Sequence, residues 1–154
     1  MERTHRIMFV CHGNICRSPM AEFLLKDMIK KEGLADRFVI ASAGTSREEI
    51  GNPVHQGTRK KLAQDHISAA GKYAVQLTIE DYEKYDLILG MDRANISNIL
   101  RIIGSDPQEK VQRLLDFTEL PRDIADPWYT GDFEITYAEI KAGCAALLKH
   151  LRRF

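Results

Sequence analysis

Eight consecutive residues near the start of the chain, Cys11-His12-Gly13-Asn14-Ile15-Cys16-Arg17-Ser18, bring together a thiol, a guanidinium and the two residue types that most readily take unusual backbone angles. Gly13 and Asn14 allow successive N–H groups, those of His12, Ile15 and Cys16 included, to turn inward as an anion-binding concavity. A helix starting directly afterwards adds positive potential at the same spot. Arg17 supplies a planar fork that grips two oxygens of one anion at once, which a lysine does not offer. Hydrogen bonds to a charged sulfur and nearby positive charge both favour the thiolate, so Cys11 is expected to be an activated nucleophile. A nucleotide-binding loop is the natural competitor, but its Gly-Lys-Ser/Thr ending is missing. A cysteine and an arginine six positions apart say little alone, and the bland alternative is a core cysteine beside a surface arginine. The whole octapeptide, placed between a strand and a helix, carries the signal.

The flanking sequence predicts those elements. Arg6 to Val10 is a short apolar run suited to a buried strand. After Ser18-Pro19, apolar residues at Ala21, Leu24, Leu25, Met28 and Ile29 keep helical spacing until Gly33, and Pro19 suits the first turn. A second strand is expected over Arg37 to Ala43, and a helix opening at Asn52-Pro53 and running to about Asp65. Thr78-Ile79-Glu80-Asp81 resembles a capping box on a short helix. Asp86 to Gly90 reads as a third strand, Asp92 as the N-cap of a helix ending at Gly104, and Val111 to Leu115 as a fourth strand. Ile140, Cys144, Leu147, Leu148 and Leu151 mark one stripe of a last helix over about Phe133 to Arg153. Strands alternating with helices imply right-handed crossovers, hence an α/β, doubly wound parallel sheet of about four strands with helices on both faces. In such sheets ligands bind outside the carboxyl ends of the strands at a switch point, which makes the loop after the first strand the phosphate-binding loop.

A chain of 154 residues with 44% apolar content fits a single domain spanning 1–154. With 22 basic and 22 acidic residues there is no overall field to draw it to nucleic acid or to an anionic membrane. No run is long enough to span a bilayer, and Met1 to Arg6 lacks the apolar stretch of a signal peptide, so a cytoplasmic protein is expected. Cysteines at 11, 16 and 144 make neither a disulfide framework nor zinc spacing, so no metal and no cofactor are expected. The sequence carries no signal for an oligomeric state.

With these residues in hand, the chain resembles the low-molecular-weight protein tyrosine phosphatases, whose loop reads Cys-x-Gly-Asn-x-Cys-Arg-Ser. The likeness extends colinearly through Ser42-Ala43-Gly44-Thr45, Gly51-Asn52-Pro53, Met91-Asp92 and Asp123-Ile124-Ala125-Asp126-Pro127. The resemblance implies hydrolysis of phosphotyrosine, on a protein or a small aryl phosphate, through a phosphocysteine. Cys11 is then the nucleophile, Arg17 the phosphate clamp and transition-state stabiliser, and Asp126 the general acid. It implies that Asn14, Ser18 and Ser42 hold the loop's shape, with the Ser18 hydroxyl also stabilising the Cys11 thiolate as it leaves. It further suggests that Cys16 closes a reversible, protective disulfide with Cys11 under oxidation.

A phenolate leaving group, with a pKa of about 10, needs a proton. Asp126 precedes Pro127, which favours an extended loop residue, and Trp128-Tyr129 follow as rings able to wall a slot for a phosphophenyl group. A surface Asp-Pro turn is the bland alternative, and Asp123 and Asp132 are the other candidate acids. His12 is expected to offer its backbone N–H rather than carry protons; His5, His55, His66 and His150 are expected at the surface; Cys144 is expected in the core and Asp92 as a cap rather than a catalyst.

Two departures from the family pattern stand out. Lys72 occupies a place where many relatives have a histidine that buttresses the loop asparagine, which puts that buttress in question. Arg47, Glu48 and Glu49 follow Thr45-Ser46 where some relatives carry an aromatic residue, so preference among phosphopeptides should differ. Three rivals remain. A thiol-dependent arsenate reductase needs a second reactive cysteine pair, and residues 72 to 100 contain none. Protein arginine phosphatases among close relatives have threonine where this chain has Ile15. A phosphate-binding module without catalysis is disfavoured by the intact Cys11, Arg17 and Asp126.

Overall fold

The computed structural model describes residues 3–152. Its centre is a sheet of four parallel strands in the order β2-β1-β3-β4. These are β1 (His5–Cys11), β2 (Phe38–Gly44), β3 (Leu87–Gly90) and β4 (Val111–Arg113). Between and after them run α1 (Arg17–Lys31), α2 (Gln56–Gln64), α3 (Asp81–Lys84), α4 (Arg93–Ile103), α5 (Pro127–Thr130) and α6 (Phe133–Leu151). Among the described residues no helix is long and apolar enough to cross a membrane.

Strand β1 is buried on both faces, and its alternation ties it to two separate cores. Ile7, Phe9 and Cys11 join the side chains of α1 and α6, among them Leu24, Leu25, Ile140 and Leu147. Met8 and Val10 pack with Leu77, Ile88, Ile99 and Ile103 under α3 and α4. Helices therefore cover both faces, as the alternating elements predict. Each fully buried side chain of this kind is worth roughly 1.5–3 kcal/mol, against about 1 kcal/mol for a typical hydrogen bond, so packing of β1 fixes where Cys11 sits. The sheet runs to β2 on one side of β1 and to β3 on the other, which makes the carboxyl end of β1 the switch point.

Helix α1 starts at Arg17, two residues ahead of Pro19, and stops in a Schellman pattern: Leu34 N–H reaches Ile29 O at 2.8 Å and Gly33, at φ 69°, reaches Lys30 O at 3.2 Å. Gly44, the last residue of β2, lies so close to the loop that a Cβ there would be 2.8 Å from His12 O. Only glycine lets the second strand support the loop from that distance.

Three boundaries and two side chains differ from expectation. Strand β4 ends at Arg113 and a 3₁₀ turn covers Leu114–Phe117, because the Asp116 carboxylate accepts from the Arg113 N–H at 2.9 Å and from its Nε at 3.1 Å. Asn52-Pro53 does not open α2. Gly51 and Asn52 instead exchange backbone bonds with Ala74 at 2.9 Å each, Pro53 bridges Tyr73, and the helix begins after His55, whose Nδ1 accepts from Gly57 N–H at 2.9 Å. Thr78 stands outside α3, its N–H and hydroxyl both bonded to the Asp81 carboxylate. The last helix is described to Leu151, and the expected end at Arg153 lies outside the described residues. His5 is buried, 7% exposed and against the Phe38 ring at 5.2 Å, not a surface residue, because it opens the central strand. His55 is a cap stacked on Phe133 at 5.3 Å. His66 and His150 are exposed, as expected.

Candidate active site

Cys11 ends β1, Cys16 is the N-cap residue of α1, and the chain between them forms a tight loop. Its carbonyls are tied outward: Cys11 O accepts from Thr45 N–H at 2.9 Å, His12 O from Ser46 N–H at 3.0 Å and Ile15 O from His55 N–H at 2.8 Å. Thr58 Oγ1 donates to Cys16 O at 3.1 Å. With the carbonyls committed outward, the N–H groups are left for the pocket, in front of the amino end of α1.

Asn14 makes the turn at φ 59°, a left-handed angle that asparagine tolerates, and its side chain then holds the loop together. Its Nδ2 donates to Ser18 Oγ at 2.8 Å and Ser42 Oγ at 2.9 Å, while Oδ1 accepts from Val75 N–H at 3.1 Å. These bonds set the direction of the next ones. Ser18 Oγ, having accepted from Asn14, has its own proton to direct at Cys11 Sγ, 3.0 Å away; the Ser18 N–H lies 3.4 Å from the same sulfur. Ser42 Oγ likewise donates a hydrogen bond to Glu22 Oε1 at 2.5 Å.

Lys72 does not open a hole in this buttress. Its Nζ donates to Ser42 O at 2.8 Å and lies 3.9 Å from Glu22 Oε1, while Lys26 binds the other oxygen of Glu22 at 2.6 Å. Burial lowers the Lys72 pKa, and the Glu22 carboxylate opposes that shift. The support that the sequence left in question is thus present, built from a buried carboxylate and an ammonium group.

Arg17 is 2% exposed and held on one edge. Its Nη1 donates to Asp92 Oδ2 and to Ile124 O, both at 2.8 Å, and Nη2 donates to Asp126 Oδ2 at 3.3 Å. A guanidinium has five N–H donors, so these bonds leave Nε–H and the second Nη2 hydrogen side by side as a fork. Burial lowers the Arg17 pKa, but the Cys11, Asp126 and Asp92 charges outweigh it and the net shift is upward, so the guanidinium stays charged. Asp92 is the N-cap of α4, accepting from Asn95 N–H at 2.8 Å, and it also orients Arg17. The sequence pointed to the first role and missed the second.

Asp126 is extended at φ −86° and ψ 113°, as Pro127 requires, and caps α5 by accepting from Trp128 N–H at 3.0 Å. One pocket brings Asp126, Trp128 and Tyr129 together with Cys11, His12, Gly13, Ile15, Cys16 and Arg17, and adds Glu48 and Glu49. Asn14, Ser18 and Ser42 stand behind the loop, buried to 1% exposure or less. Trp128 and Tyr129 are 60% and 84% exposed and form an open wall. The alternative acids are engaged elsewhere: Asp123 binds Arg113 Nη1 and Arg93 N–H, each at 3.0 Å, and Asp132 caps α6. Cys16 is pushed up to about 12, first by burial and then by the charges of Cys11 and Asp126. Cys144 is fully buried in the core, and burial pushes its thiol up as well. Among the described residues no three His, Cys, Asp or Glu side chains group as a metal site.

Glu22 is the supporting residue that sequence reasoning missed. A carboxylate on the buried stripe of an amphipathic helix has no local signature, and its partners Ser42 and Lys72 are distant in the chain.

A strand-loop-helix cradle that holds a thiol and a guanidinium, faced by a carboxylate in the same pocket, defines a class of site fitted to a phosphoryl group. Comparison with known proteins is specific about the family. Residues 6–154 match the profile of the low molecular weight phosphotyrosine protein phosphatases. The chain is 40% identical to the low molecular weight protein-tyrosine-phosphatase YfkJ of Bacillus subtilis, covering 96% of each chain. It is 36% identical to PtpA of Staphylococcus epidermidis, covering 94% of this chain and 92% of the other. The crystal structure of YfkJ superposes with a TM-score of 0.94 at 39% identity, over 97% of this chain and 96% of that one. The chain belongs to the low molecular weight phosphotyrosine protein phosphatase family.

Proposed function

We propose that the chain hydrolyses phosphotyrosine, on proteins and on small aryl phosphates, with Cys11 as nucleophile, Arg17 as clamp and Asp126 as general acid and base. The observation that carries this reading is one pocket holding Cys11 Sγ, 3.0 Å from the Ser18 hydroxyl, together with Arg17 and Asp126.

The phosphoryl oxygens lie against the loop N–H groups and the Nε/Nη2 fork of Arg17. The Cys11 thiolate attacks phosphorus in line, so that a P–S bond forms as the P–O bond to the phenol breaks. Asp126 gives its proton to the departing oxygen, so that a neutral phenol leaves. Water then attacks the phosphocysteine, the Asp126 carboxylate takes the water's proton, and the P–S bond breaks. The returning thiolate is received by the Ser18 hydroxyl. Loop amides and Arg17 stabilise the equatorial oxygens in both steps. The two hydrogens of Nη2 serve Asp126, at 3.3 Å, and the incoming phosphoryl group, while the bonds to Asp92 and Ile124 keep the guanidinium in place. A reducing, cytoplasmic setting suits a mechanism that needs Cys11 as a free thiol.

The test is phosphate release from a phosphotyrosine peptide in the presence of a strong chelator. Turnover is expected and the chelator is expected to leave it unchanged, since charge stabilisation comes from N–H groups and Arg17. No turnover, or a loss restored by added metal, contradicts the reading.

A further inference from the structure

The mouth of the pocket carries charge that the chemistry above does not use. Glu48 and Glu49 line it, and the segment bearing them is tied to the loop by the bonds from Thr45 and Ser46 N–H to Cys11 and His12 O. Glu48 is 73% exposed at its side chain, and His12 Nε2 lies 3.2 Å from its Oε2. Glu49 packs over Gly13, its Cγ only 3.2 Å from where a Cβ would stand, and Asn52 Nδ2 holds its carboxylate at 2.5 Å. Arg47, the neighbouring cation, turns away to Gln76 at 3.3 Å and is not part of the pocket. The guanidinium that does line the pocket, Arg17, is 2% exposed and engaged with Asp92, Ile124 and Asp126. The opposite wall, Trp128 and Tyr129, is uncharged.

A phosphotyrosine whose phosphate reaches the cradle leaves its backbone and neighbouring side chains at this mouth. We propose that Glu48 and Glu49 act there as a charge filter, favouring phosphotyrosine flanked by Lys or Arg and disfavouring flanking Asp, Glu or a second phosphate. The inference rests on the phosphotyrosine reading and deepens it. Attraction and repulsion at an exposed rim act on encounter and register rather than on the chemical step. They are modest per pair and screened by salt.

Three phosphotyrosine peptides of equal length, with Lys, Ala or Glu on both sides of the phosphotyrosine, separate the two claims. At low salt the wild type is expected to show kcat/KM for the Lys peptide about tenfold above that for the Glu peptide, the order that two exposed carboxylates can supply. In a Glu48→Gln/Glu49→Gln variant, which keeps shape and the contact with Asn52, that ratio is expected to fall to about two. The readout is a ratio, so a general change in activity cancels. Failure to hydrolyse the Ala peptide overturns the phosphatase reading and this inference with it. Hydrolysis of the Ala peptide with a wild-type Lys-to-Glu ratio near one, or with a ratio that the double variant retains, overturns the charge filter alone.

Discussion

Cys11→Ser is expected to end turnover while the protein keeps its fold and its grip on inorganic phosphate. A serine hydroxyl at the end of β1 has no accessible anion to attack phosphorus, and Asp126, which must carry a proton for the leaving phenol in that step, is not then free to act as its base. The fall expected for removing a covalent nucleophile is on the order of 10⁴-fold or more. Binding should survive because its determinants are elsewhere: the loop amides, and an Arg17 fixed by Asp92 and Ile124 O at 2.8 Å each. The loop should survive too, since Asn14 bonds Ser18, Ser42 and Val75 independently of the sulfur. Calorimetric titration with phosphate and steady-state assay of the same preparation check both halves. Turnover above background in the serine variant contradicts the assignment, and loss of phosphate binding contradicts the view that the cradle acts without the thiol.

Asp126→Asn is expected to slow phosphocysteine formation from phosphotyrosine by about 10²- to 10⁴-fold, the range of general acid catalysis. Asparagine still accepts from Trp128 N–H as a cap, so α5 stays in place. What changes is the missing proton and the contact with Arg17 Nη2, where an amide replaces a carboxylate. Varying the leaving group separates these two effects. An activated aryl phosphate, whose phenolate is already stable at neutral pH, needs little protonation and should lose much less in the same step. A misplaced Arg17 slows both substrates alike. The step must be followed directly, in a burst or single turnover, because loss of the base that activates water in the second step hits both substrates equally. Equal losses for good and poor leaving groups in phosphocysteine formation assign Asp126 to loop support and leave the acid unidentified.

How far the site was legible depended on how local its signals are. The strand entering Cys11, the turn at Gly13-Asn14, the helix leaving Arg17 and the extended Asp126 before Pro127 are each set by neighbours in sequence, and the structure has all four. The long-range contacts were not legible. Glu22 becomes a buried acceptor only because β2 brings Ser42 beside α1, and Lys72 joins the support because that carboxylate is there. Asp92 bonds Arg17 across 75 residues. His55 was misread because its ring stacks on Phe133, a residue of the last helix, while its cap on Gly57 N–H is a local bond that histidine seldom makes. The boundary at Arg113 depends on Asp116, whose carboxylate ends the strand early, and the apolar pair Leu114-Leu115 that follows conceals that.

The central claim is that a P–S bond to Cys11 forms and breaks in every catalytic cycle. Its most direct test is rapid acid quenching of the wild-type enzyme with excess phosphotyrosine substrate, followed by mass spectrometry of the intact chain and of its peptides. One phosphoryl group per chain is expected, on the peptide that holds Cys11, appearing with the phenol burst and decaying as substrate runs out. Turnover without any such adduct, or an adduct on another residue, contradicts the account.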